Sequence, residues 1–197
     1  MQKIDIFDSA LRDGAQAKGI SYSLEDKLHI LKLLDEAGMD YIEAGNPASN
    51  PKERAFFEEA AKVELKNAKL TAFGSTRYKN VKAEDDAGVK ALLSANTPVV
   101  AIFGKAWDLH VTEVLGTTLE ENLNMVEDTI SYFKTKGKEV VFDAEHFFDG
   151  YKANRQYALD VLEAACKGGA DVVVLCDTNG GAMVSQVKEA VLASLDV

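Results

Sequence analysis

The residue pair with the clearest chemical potential is Arg12-Asp13, which stands directly before Gly14. Residues 4–7 precede the pair, and their pattern changes from alternating apolar and polar residues to consecutive apolar ones. This pattern predicts a short buried strand, so both charged side chains fall just after that strand. A carboxylate at such a point can bind a hard divalent cation, and a guanidinium can stabilise an oxygen atom that becomes negative during a reaction. The pair can equally be a surface ion pair in an ordinary loop, and the rest of the chain has to separate the two interpretations.

Polar and charged residues also follow the other predicted strands. They are Glu43, Ser75, Arg77, Lys105, Glu145, His146, Asp177 and Thr178. Catalytic groups drawn from the ends of many parallel strands are typical of the (β/α)8, or TIM, barrel. This pattern favours a functional interpretation of Arg12-Asp13.

The elements that must position these residues alternate along the whole chain. Apolar, β-branched runs predict strands at residues 3–7, 40–44, 69–73, 99–103, 139–142 and 171–176. Amphipathic patterns predict helices at residues 24–37, 51–62, 83–94, 119–136, 154–167 and 184–194. A strand therefore recurs roughly every 30 to 40 residues with a helix after it, the spacing of repeated parallel βαβ units.

Two architectures have this alternation, a doubly wound open sheet and the TIM barrel. The open sheet expects a glycine-rich phosphate-binding turn after its first strand, and the sequence has none there, so the barrel is favoured. Six strand–helix units are present where a complete barrel has eight. We therefore expect residues 1–197 to be the N-terminal part of a TIM-barrel catalytic domain, without strands seven and eight or any regulatory domain.

The composition narrows the possible partners. With 47% hydrophobic and 27% charged residues, the 197-residue chain is typical of one globular domain. Its net charge of −10 argues against nucleic acid, because phosphate binding needs a basic face. No apolar run approaches the roughly 20 residues that span a bilayer, so we expect no membrane partner. Cys166 and Cys176 are expected to be buried free thiols, and with no signal-peptide pattern we expect a cytoplasmic protein.

Six motifs carry a resemblance to a known family. Residues 11–16 (LRDGAQ), 41–45 (YIEAG) and 175–181 (LCDTNGG) resemble the 2-isopropylmalate, homocitrate and citramalate synthase family. These enzymes are metal-dependent Claisen-condensing barrels related to hydroxymethylglutaryl-CoA lyase. Three further stretches are similar to the (R)-citramalate synthase branch of this family. They are residues 72–77 (AFGSTR), 105–112 (KAWDLHVT) and 143–152 (DAEHFFDGYK).

The resemblance implies a reaction and its cofactors. A 2-oxo acid, pyruvate in the citramalate branch, condenses with the co-substrate acetyl-CoA, and hydrolysis of the thioester then releases CoA. A divalent ion (Mg²⁺, Mn²⁺ or Zn²⁺) polarises the keto group as a Lewis acid. The implied partners are thus two small molecules.

Position by position, the resemblance also implies roles. Asp13 matches a metal ligand, Arg12 the group that stabilises the developing alkoxide, and Glu43 the carboxylate that orients Arg12. Gln16 and Thr178 match positions that face the oxo acid in this family. A further catalytic candidate is Glu145, which would position or deprotonate the acetyl group.

The histidines match the family less well. The family's other metal ligands form a His-x-His pair on the seventh strand, and His29, His110 and His146 do not have that spacing. Asp13 is therefore expected to be the one protein ligand in this chain. His146, next to Glu145, is a candidate for lining the substrate pocket.

A group of cations in loops after strands is a candidate for binding the phosphates of CoA. Its members are Arg77, Lys79, Lys105, Lys152 and Arg155, of which Arg77 and Lys105 are the main candidates. In an acidic chain such a group is unusual enough to suggest an anionic ligand. Ordinary solvated loop charge is the alternative.

Three functions stay open at this point. The first is an acyltransferase of the citramalate or isopropylmalate synthase type. The second is an aldol-type lyase that cleaves a hydroxyacyl-CoA, against which residues 143–152 argue. The third is a barrel fragment without activity. We also expect a homo-oligomer, because the first and sixth strands would each present an unpaired edge.

Overall fold

The computed structural model describes residues 3–197, along which six strands and eight helices alternate. The strands are β1 (Phe7–Asp8), β2 (Tyr41–Glu43), β3 (Lys69–Ser75), β4 (Val99–Lys105), β5 (Glu139–Glu145) and β6 (Val172–Leu175). The helices are α1 (Leu24–Glu36), α2 (Pro51–Ala60), α3 (Ala87–Ser94), α4 (Asp108–His110), α5 (Leu119–Thr135), α6 (Phe147–Ala153), α7 (Arg155–Gly168) and α8 (Val184–Ser194). A 3₁₀ turn spans Gly14–Gln16, and a π-helical turn spans Val111–Leu115.

The strands lie in the sheet in the same order as in the chain, β1 to β6. Pairing is parallel, with Ile42 opposite Leu70 between β2 and β3, and Phe142 opposite Val173 between β5 and β6. Sequential parallel strands joined by helices are the topology of a TIM barrel. The predicted fold class is confirmed, with six of the eight β/α units of such a barrel in this chain.

The chain divides into two compact units. Unit 1 contains residues 3–74 and Lys90–Ala101, and unit 2 contains Ser75–Val89 and Ile102–Val197. Unit 1 holds β1, β2 and most of β3, and unit 2 holds β5 and β6. Each unit has its own set of chemically active side chains.

Unit 1 is organised by side chains that cap its elements. Ser23 and Asp26 form a reciprocal capping box at the start of α1. Near the other end of α1, the buried Asp35 carboxylate accepts backbone N–H groups from residues 66–68, the turn that leads into β3. Burial alone would raise the pKa of Asp35, but these donors outweigh it and hold the pKa below its ordinary value.

Unit 2 is built on α5 and α7, which pack against each other closely at Gly168, the last residue of α7. A Cβ on Gly168 would lie 2.9 Å from the Glu127 carbonyl oxygen, so the two helices approach as closely as their backbones allow. Between them, Asn122 on α5 donates to the Lys105 carbonyl at 2.9 Å and to the Tyr157 hydroxyl at 2.8 Å. Burial raises the pKa of that hydroxyl to about 12, which keeps it neutral. The end of β4 is thereby fixed to the helix layer.

The central strands are longer than their apolar runs. The predicted strands 69–73, 99–103 and 139–142 continue to Ser75, Lys105 and Glu145. Backbone pairing explains the difference, since the Thr76 N–H donates to the Phe103 carbonyl and the Ala106 N–H to the Glu145 carbonyl, each at 3.0 Å. The polar residues are therefore held by strand hydrogen bonds and not by loops.

The first predicted strand, 3–7, is wrong in extent, because only Phe7–Asp8 pairs as strand, and wrong in burial, because Phe7 is itself exposed. The Asp40 carboxylate accepts a hydrogen bond from the Ile6 N–H at 2.8 Å, and the side chains of Ile4 and Ile6 are exposed. The third helix begins at Ala87 and not at residue 83, because the Asp86 carboxylate accepts the Val89 N–H at 2.9 Å.

Two further expectations concern cysteines and membranes. Both cysteines are free, as predicted, but Cys166 is exposed and Cys176 is half-buried, so the prediction that they are buried is wrong. Between residues 3 and 197, no helix has the length and apolar character that crossing a bilayer requires.

We expect the chain to self-associate through β1 and β6. Among residues 3–197, β1 pairs only with β2 and β6 only with β5, so each strand keeps one row of backbone groups open to another chain. Val174→Lys puts a charge on the exposed face of β6 and should weaken association, whereas Val114→Lys, an exposed valine on the π-helical turn, should not. Light scattering across a concentration series measures this. A concentration-independent monomer with full amide protection in both strands would contradict the expectation.

Candidate active site

The turn after β1 sets Arg12 and Asp13 side by side in unit 1. The Ser9 carbonyl accepts the backbone N–H groups of Arg12, Asp13 and Gly14 at 3.1, 2.8 and 3.2 Å, and the Asp8 carboxylate accepts the Ala10 N–H at 3.0 Å. All four donors are satisfied within the turn. The side chains of Arg12 and Asp13 therefore leave a backbone that is fixed by its own hydrogen bonds.

The Arg12 guanidinium has three partners. Its Nε donates to the Glu43 carboxylate, and its Nη1 donates to Asp13 Oδ1 at 3.1 Å. Its central carbon lies 4.0 Å from the centre of the Phe73 ring. Glu43, the last residue of β2, is fully buried, while the Arg12 side chain is 20% exposed. The structure thus brings together three of the residues that the sequence marks as candidates.

These contacts leave one part of the guanidinium for a ligand. Within residues 3–197, Nη2 of Arg12 makes no hydrogen bond, whereas Nε and Nη1 are both engaged. A guanidinium is always charged and presents its donors in a rigid plane, so holding two of its nitrogens also fixes the third. The arrangement can present an oriented N–H pair to a negatively charged oxygen.

A cavity of about 380 Å³ in unit 1 is lined by Arg12, Gln16 and Phe73. The predicted substrate residue Gln16 is exposed and lines the same cavity as Arg12. A second ion pair forms another part of the wall, with Lys27 Nζ 2.7 Å from Glu53 Oε2 and 2.7 Å from the Ala44 carbonyl. Burial lowers the pKa of Lys27, and the Glu53 carboxylate opposes that shift.

Gly45 is required where the chain leaves β2 beside this second pair. Its φ of +141° lies in the region that side chains rarely adopt, and a Cβ would lie 1.9 Å from Glu53 Oε2. The predicted motif at residues 41–45 therefore has two physical reasons, since Glu43 holds Arg12 and Gly45 makes room for the Lys27–Glu53 pair.

The described residues do not make a complete metal site. Asp13 is 65% exposed and its Oδ1 accepts from Arg12. Among residues 3–197, no three histidine, cysteine, aspartate or glutamate side chains lie together so that they could hold an ion. Asp13 can supply one carboxylate oxygen, which is fewer than a divalent cation requires.

Unit 2 carries a second charged pair at strand ends. Lys105 is the last residue of β4, Glu145 is the last residue of β5, and the lysine Nζ donates to the glutamate carboxylate. Both side chains are largely buried. The predicted catalytic residue Glu145 is therefore held by Lys105, which the sequence assigns to CoA.

His146 follows in an unusual backbone conformation. Its φ is 58° and its ψ is 33°, the left-handed region, and its N–H donates to the Thr178 hydroxyl at 2.9 Å. Its ring nitrogen Nδ1 lies 3.1 Å from Asp149 Oδ2, which also accepts from the Asn179 amide at 2.9 Å. The two predicted substrate residues of this unit, His146 and Thr178, are thus neighbours.

Trp107 and His110 pack against His146. The Trp107 and His110 rings stack with centres 4.8 Å apart, and the His110 ring meets the His146 ring edge to face at 4.4 Å. Burial lowers the pKa of His110, and the nearby His146 and Lys105 add to that effect. His110 therefore behaves as a neutral, packed ring near physiological pH.

The cations assigned to CoA fall into two groups. Arg77 is buried and is held by Glu121 at 2.7 Å and Asp128 at 2.8 Å. Burial alone would lower the pKa of Arg77, but the two carboxylates outweigh it and raise the pKa. Lys79 Nζ binds the carbonyls of residues 115 and 116. By contrast, Lys152 and Arg155 line a cavity of about 390 Å³ in unit 2.

A family model now decides where the chain belongs. The model described as HMGL-like matches residues 3–195, nearly the whole chain. The chain belongs to the HMGL-like family.

Relatives within and around this family are enzymes. The (R)-citramalate synthase of Aquifex aeolicus is 60% identical over 95% of this chain and 36% of its own length, and that of Sulfolobus acidocaldarius is 50% identical over 94% and 36%. Enzymes named 2-isopropylmalate synthase match at lower identity. The chain spans about a third of the length of these curated relatives.

A solved structure shows the same fold. The HMG-CoA lyase of Bacillus subtilis superposes with a TM-score of 0.78 at 19% identity, over 98% of this chain and 64% of that one. This likeness concerns the fold alone. The predicted resemblance to the citramalate synthase branch is confirmed by the sequence relatives.

Several contacts of this HMGL-like chain escaped the sequence analysis. Phe73 under Arg12, and the Asp149–Asn179 pair beside His146, were not among its candidates. Asp149 stands three residues after His146, which caps α6, so the first turn of that helix brings their side chains together. Predicting a helix at residues 147–153 would have indicated that His146 and Asp149 are neighbours.

We expect Asp13 to bind a divalent ion only weakly in this chain. One monodentate carboxylate already shared with Arg12 leaves most coordination positions to water. Calorimetry with Mg²⁺, Mn²⁺ or Zn²⁺ measures the affinity, with Asp13→Ala as the variant and Asp5→Ala, another exposed aspartate, as its control. Tight stoichiometric binding that Asp13→Ala abolishes would refute this expectation.

Proposed function

We propose that this chain is part of the catalytic barrel of an (R)-citramalate synthase, which condenses pyruvate with acetyl-CoA and hydrolyses the thioester to release CoA. The 60% identity to the Aquifex aeolicus enzyme over 95% of this chain carries the proposal. The contacts of Arg12 and Glu43, at the positions where the resemblance expects them, agree with it. The protein would act in the cytoplasm, as a homo-oligomer, in amino-acid biosynthesis.

Arg12 stabilises the negative charge that the condensation creates on the keto oxygen. When the methyl carbon of the acetyl group attacks the keto carbon, the carbonyl electron pair moves to the keto oxygen, which becomes an alkoxide. The free Nη2 of Arg12 donates to that oxygen, while Glu43 and Asp13 hold the rest of the guanidinium. Gln16, on the same cavity, contacts the oxo acid. A divalent ion would polarise the keto group, and Asp13 would give it one ligand among others.

Glu145 serves the acetyl group. Its carboxylate accepts the proton that the acetyl methyl loses, and Lys105 holds that carboxylate in place. Glu145 then releases this proton to solvent, and the alkoxide takes one up to become the hydroxyl group of the product. Thr178 uses its hydroxyl oxygen to accept from the His146 N–H, so its own hydrogen stays available to the oxo acid. Each of these residues lies at or just after the end of a strand, where TIM barrels place their chemistry.

Lys152 and Arg155 are assigned to bind the phosphates of CoA. The sequence pattern favours Arg77 and Lys105 for this role, and they remain the alternative. In the described chain, Arg77 and Lys105 are each bound to a carboxylate, whereas the nearest carboxylate oxygen to Arg155 is 3.9 Å away. Lys152 has no ion pair within residues 3–197. The 390 Å³ cavity that they share is also lined by Asp149, Asp177 and Glu189, so an anionic ligand would have to bind on the side of the two cations.

The aldol-lyase alternative has less support. It rests on a likeness of fold at 19% identity, which does not carry an activity. The chain's sequence relatives at 50% identity and above are named as synthases.

Release of free CoA is the direct test. The protein, translated to the end of its reading frame, is incubated with acetyl-CoA, a divalent ion and either pyruvate or 3-methyl-2-oxobutanoate. We expect pyruvate-dependent release of CoA, and none from residues 1–197 alone. Equal CoA release with and without an oxo acid would overturn the proposal. Faster CoA release with 3-methyl-2-oxobutanoate than with pyruvate would indicate an isopropylmalate synthase instead.

Arg12→Ala should lower kcat by on the order of 10²-fold or more with little change in KM, as for removal of an oxyanion donor. Arg12→Lys keeps the charge but loses the planar donors, and should recover only part of kcat. Steady-state kinetics on the longer protein measure both. An Arg12→Ala enzyme that retains most of its kcat would remove Arg12 from the mechanism.

Lys152→Ala and Arg155→Ala should each raise the KM for acetyl-CoA several-fold and leave the KM for pyruvate unchanged. Each loses a cation from the cavity wall, and the effect should shrink as salt is added. Lys167→Ala, an exposed lysine on α7 outside the cavity, is the control. If Arg77→Ala alone raises the KM for acetyl-CoA in a folded enzyme, the original assignment is the better one.

A further inference from the structure

Carbon–carbon bond formation removes a proton from the acetyl methyl group, and thioester hydrolysis removes one from the attacking water. Glu145 is assigned to the first of these protons. The base for the second is not yet assigned, and its assignment rests on the proposed function. His146, adjacent to Glu145, has contacts that fit the second task.

Asp149 and Asn179 fix the state of the His146 ring. Asp149 Oδ2 receives the Asn179 amide N–H at 2.9 Å and lies 3.1 Å from His146 Nδ1. A carboxylate can only accept, so Nδ1 is the ring nitrogen that carries the hydrogen. In the neutral ring the lone pair is then on Nε2, which makes no hydrogen bond within residues 3–197. The side chain is 13% exposed, so a small molecule can reach it.

The backbone at His146 is held in a conformation that a histidine rarely adopts. Its left-handed φ and ψ are stabilised by the Thr178 hydroxyl and by the first turn of α6, where the Gly150 N–H donates to the His146 carbonyl at 2.9 Å. A Cβ on Gly150 would lie 2.1 Å from the Ala106 carbonyl oxygen, so α6 is pressed against the end of β4. Strained residues that their surroundings hold so firmly cluster at functional sites.

The ring is also enclosed by side chains that restrict its motion. His110 meets its edge at 4.4 Å, and Trp107 lies at 5.9 Å. The charged groups near this cluster are Lys105, Glu145 and Asp149. Lys105 and Glu145 bind each other, which leaves Asp149 as the carboxylate engaged with the ring.

We propose that His146 is the general base that activates water for hydrolysis of the acyl thioester, with Asp149 and Asn179 as positioning residues. Nε2 takes a proton from water as the water oxygen bonds to the thioester carbon. The carbon–sulfur bond then breaks, its electron pair leaves with the CoA sulfur, and the proton on Nε2 passes to that sulfur. The products are the free acid and CoA, and His146 regains its starting state.

Separating the two chemical steps tests this proposal. On the longer protein, His146→Gln should slow hydrolysis of the presynthesised CoA thioester of citramalate by on the order of 10²-fold or more, while carbon–carbon bond formation persists. Rapid-quench mass spectrometry should then find the uncleaved thioester accumulating. Asp149→Asn should act in the same direction, and His29→Gln, an exposed histidine on α1, should change neither step.

A second measurement needs no activity. In residues 1–197, ¹⁵N NMR of the histidine rings should show His146 with hydrogen on Nδ1, and Asp149→Asn should change its tautomer equilibrium.

Three results are distinguishable. Unchanged thioester hydrolysis in folded His146→Gln, or hydrogen on Nε2 in the wild type, overturns the role of His146. Equal slowing of both steps also overturns it, because His146 would then act in positioning. Loss of carbon–carbon bond formation in the wild type overturns the proposed function, while hydrolysis of the supplied thioester still decides the role of His146.

Discussion

The burial of Glu43 is the constraint on which unit 1 depends. A carboxylate at the end of a central strand, with no exposed surface, must be compensated by a cation and by hydrogen bonds. Arg12 supplies the cation and a hydrogen bond to one oxygen of the carboxylate, and its guanidinium is in turn held against Phe73. Removing one partner of such a pair leaves a buried charge and costs about 3–5 kcal/mol, whereas an exposed pair contributes about 0–1 kcal/mol. The pair therefore binds the turn after β1 to the end of β2.

Unit 2 repeats the same device with different residues. Lys105 and Glu145 stand at the last positions of β4 and β5, where strand hydrogen bonds fix the backbone and the opposite charge fixes the side chain. His146 is then placed by the turn that follows β5. In both units, a cation and a carboxylate at strand ends orient each other and leave further donors or acceptors for a ligand. The rigidity comes from strands and the chemistry from the residues just beyond them.

Much of the fold follows from local sequence signals, because those signals are local in origin. The helices predicted from residues 24 and 119 begin there, since the Ser23 and Thr118 side chains each accept the backbone N–H three residues on. The apolar runs locate every central strand. Their ends were misjudged because backbone pairing with a neighbouring strand continues after the apolar side chains stop, and no local pattern reports that pairing. The first strand failed for the same reason, since Asp40, far along the chain, takes the Ile6 N–H.

The candidate site divides in the same way. Motifs located Arg12, Asp13, Glu43 and Glu145, and the structure gives each a partner. The contacts of Arg77 could not be foreseen, because its carboxylates come from α5, more than 40 positions along the chain. Asp149 was missed because α6 is short and rich in aromatic residues, a composition with little helical periodicity.

Nitrogen NMR of the arginine side chains tests most directly whether Glu43 holds Arg12. The chain has four arginines, so the Nε–H signals can be assigned by substitution, and exposed Arg155 supplies the reference for free exchange. The account predicts an Arg12 Nε–H signal that is shifted and protected from solvent exchange, and that loses both properties in Glu43→Gln. An Arg12 signal that exchanges as fast as that of Arg155 in the wild type would contradict it.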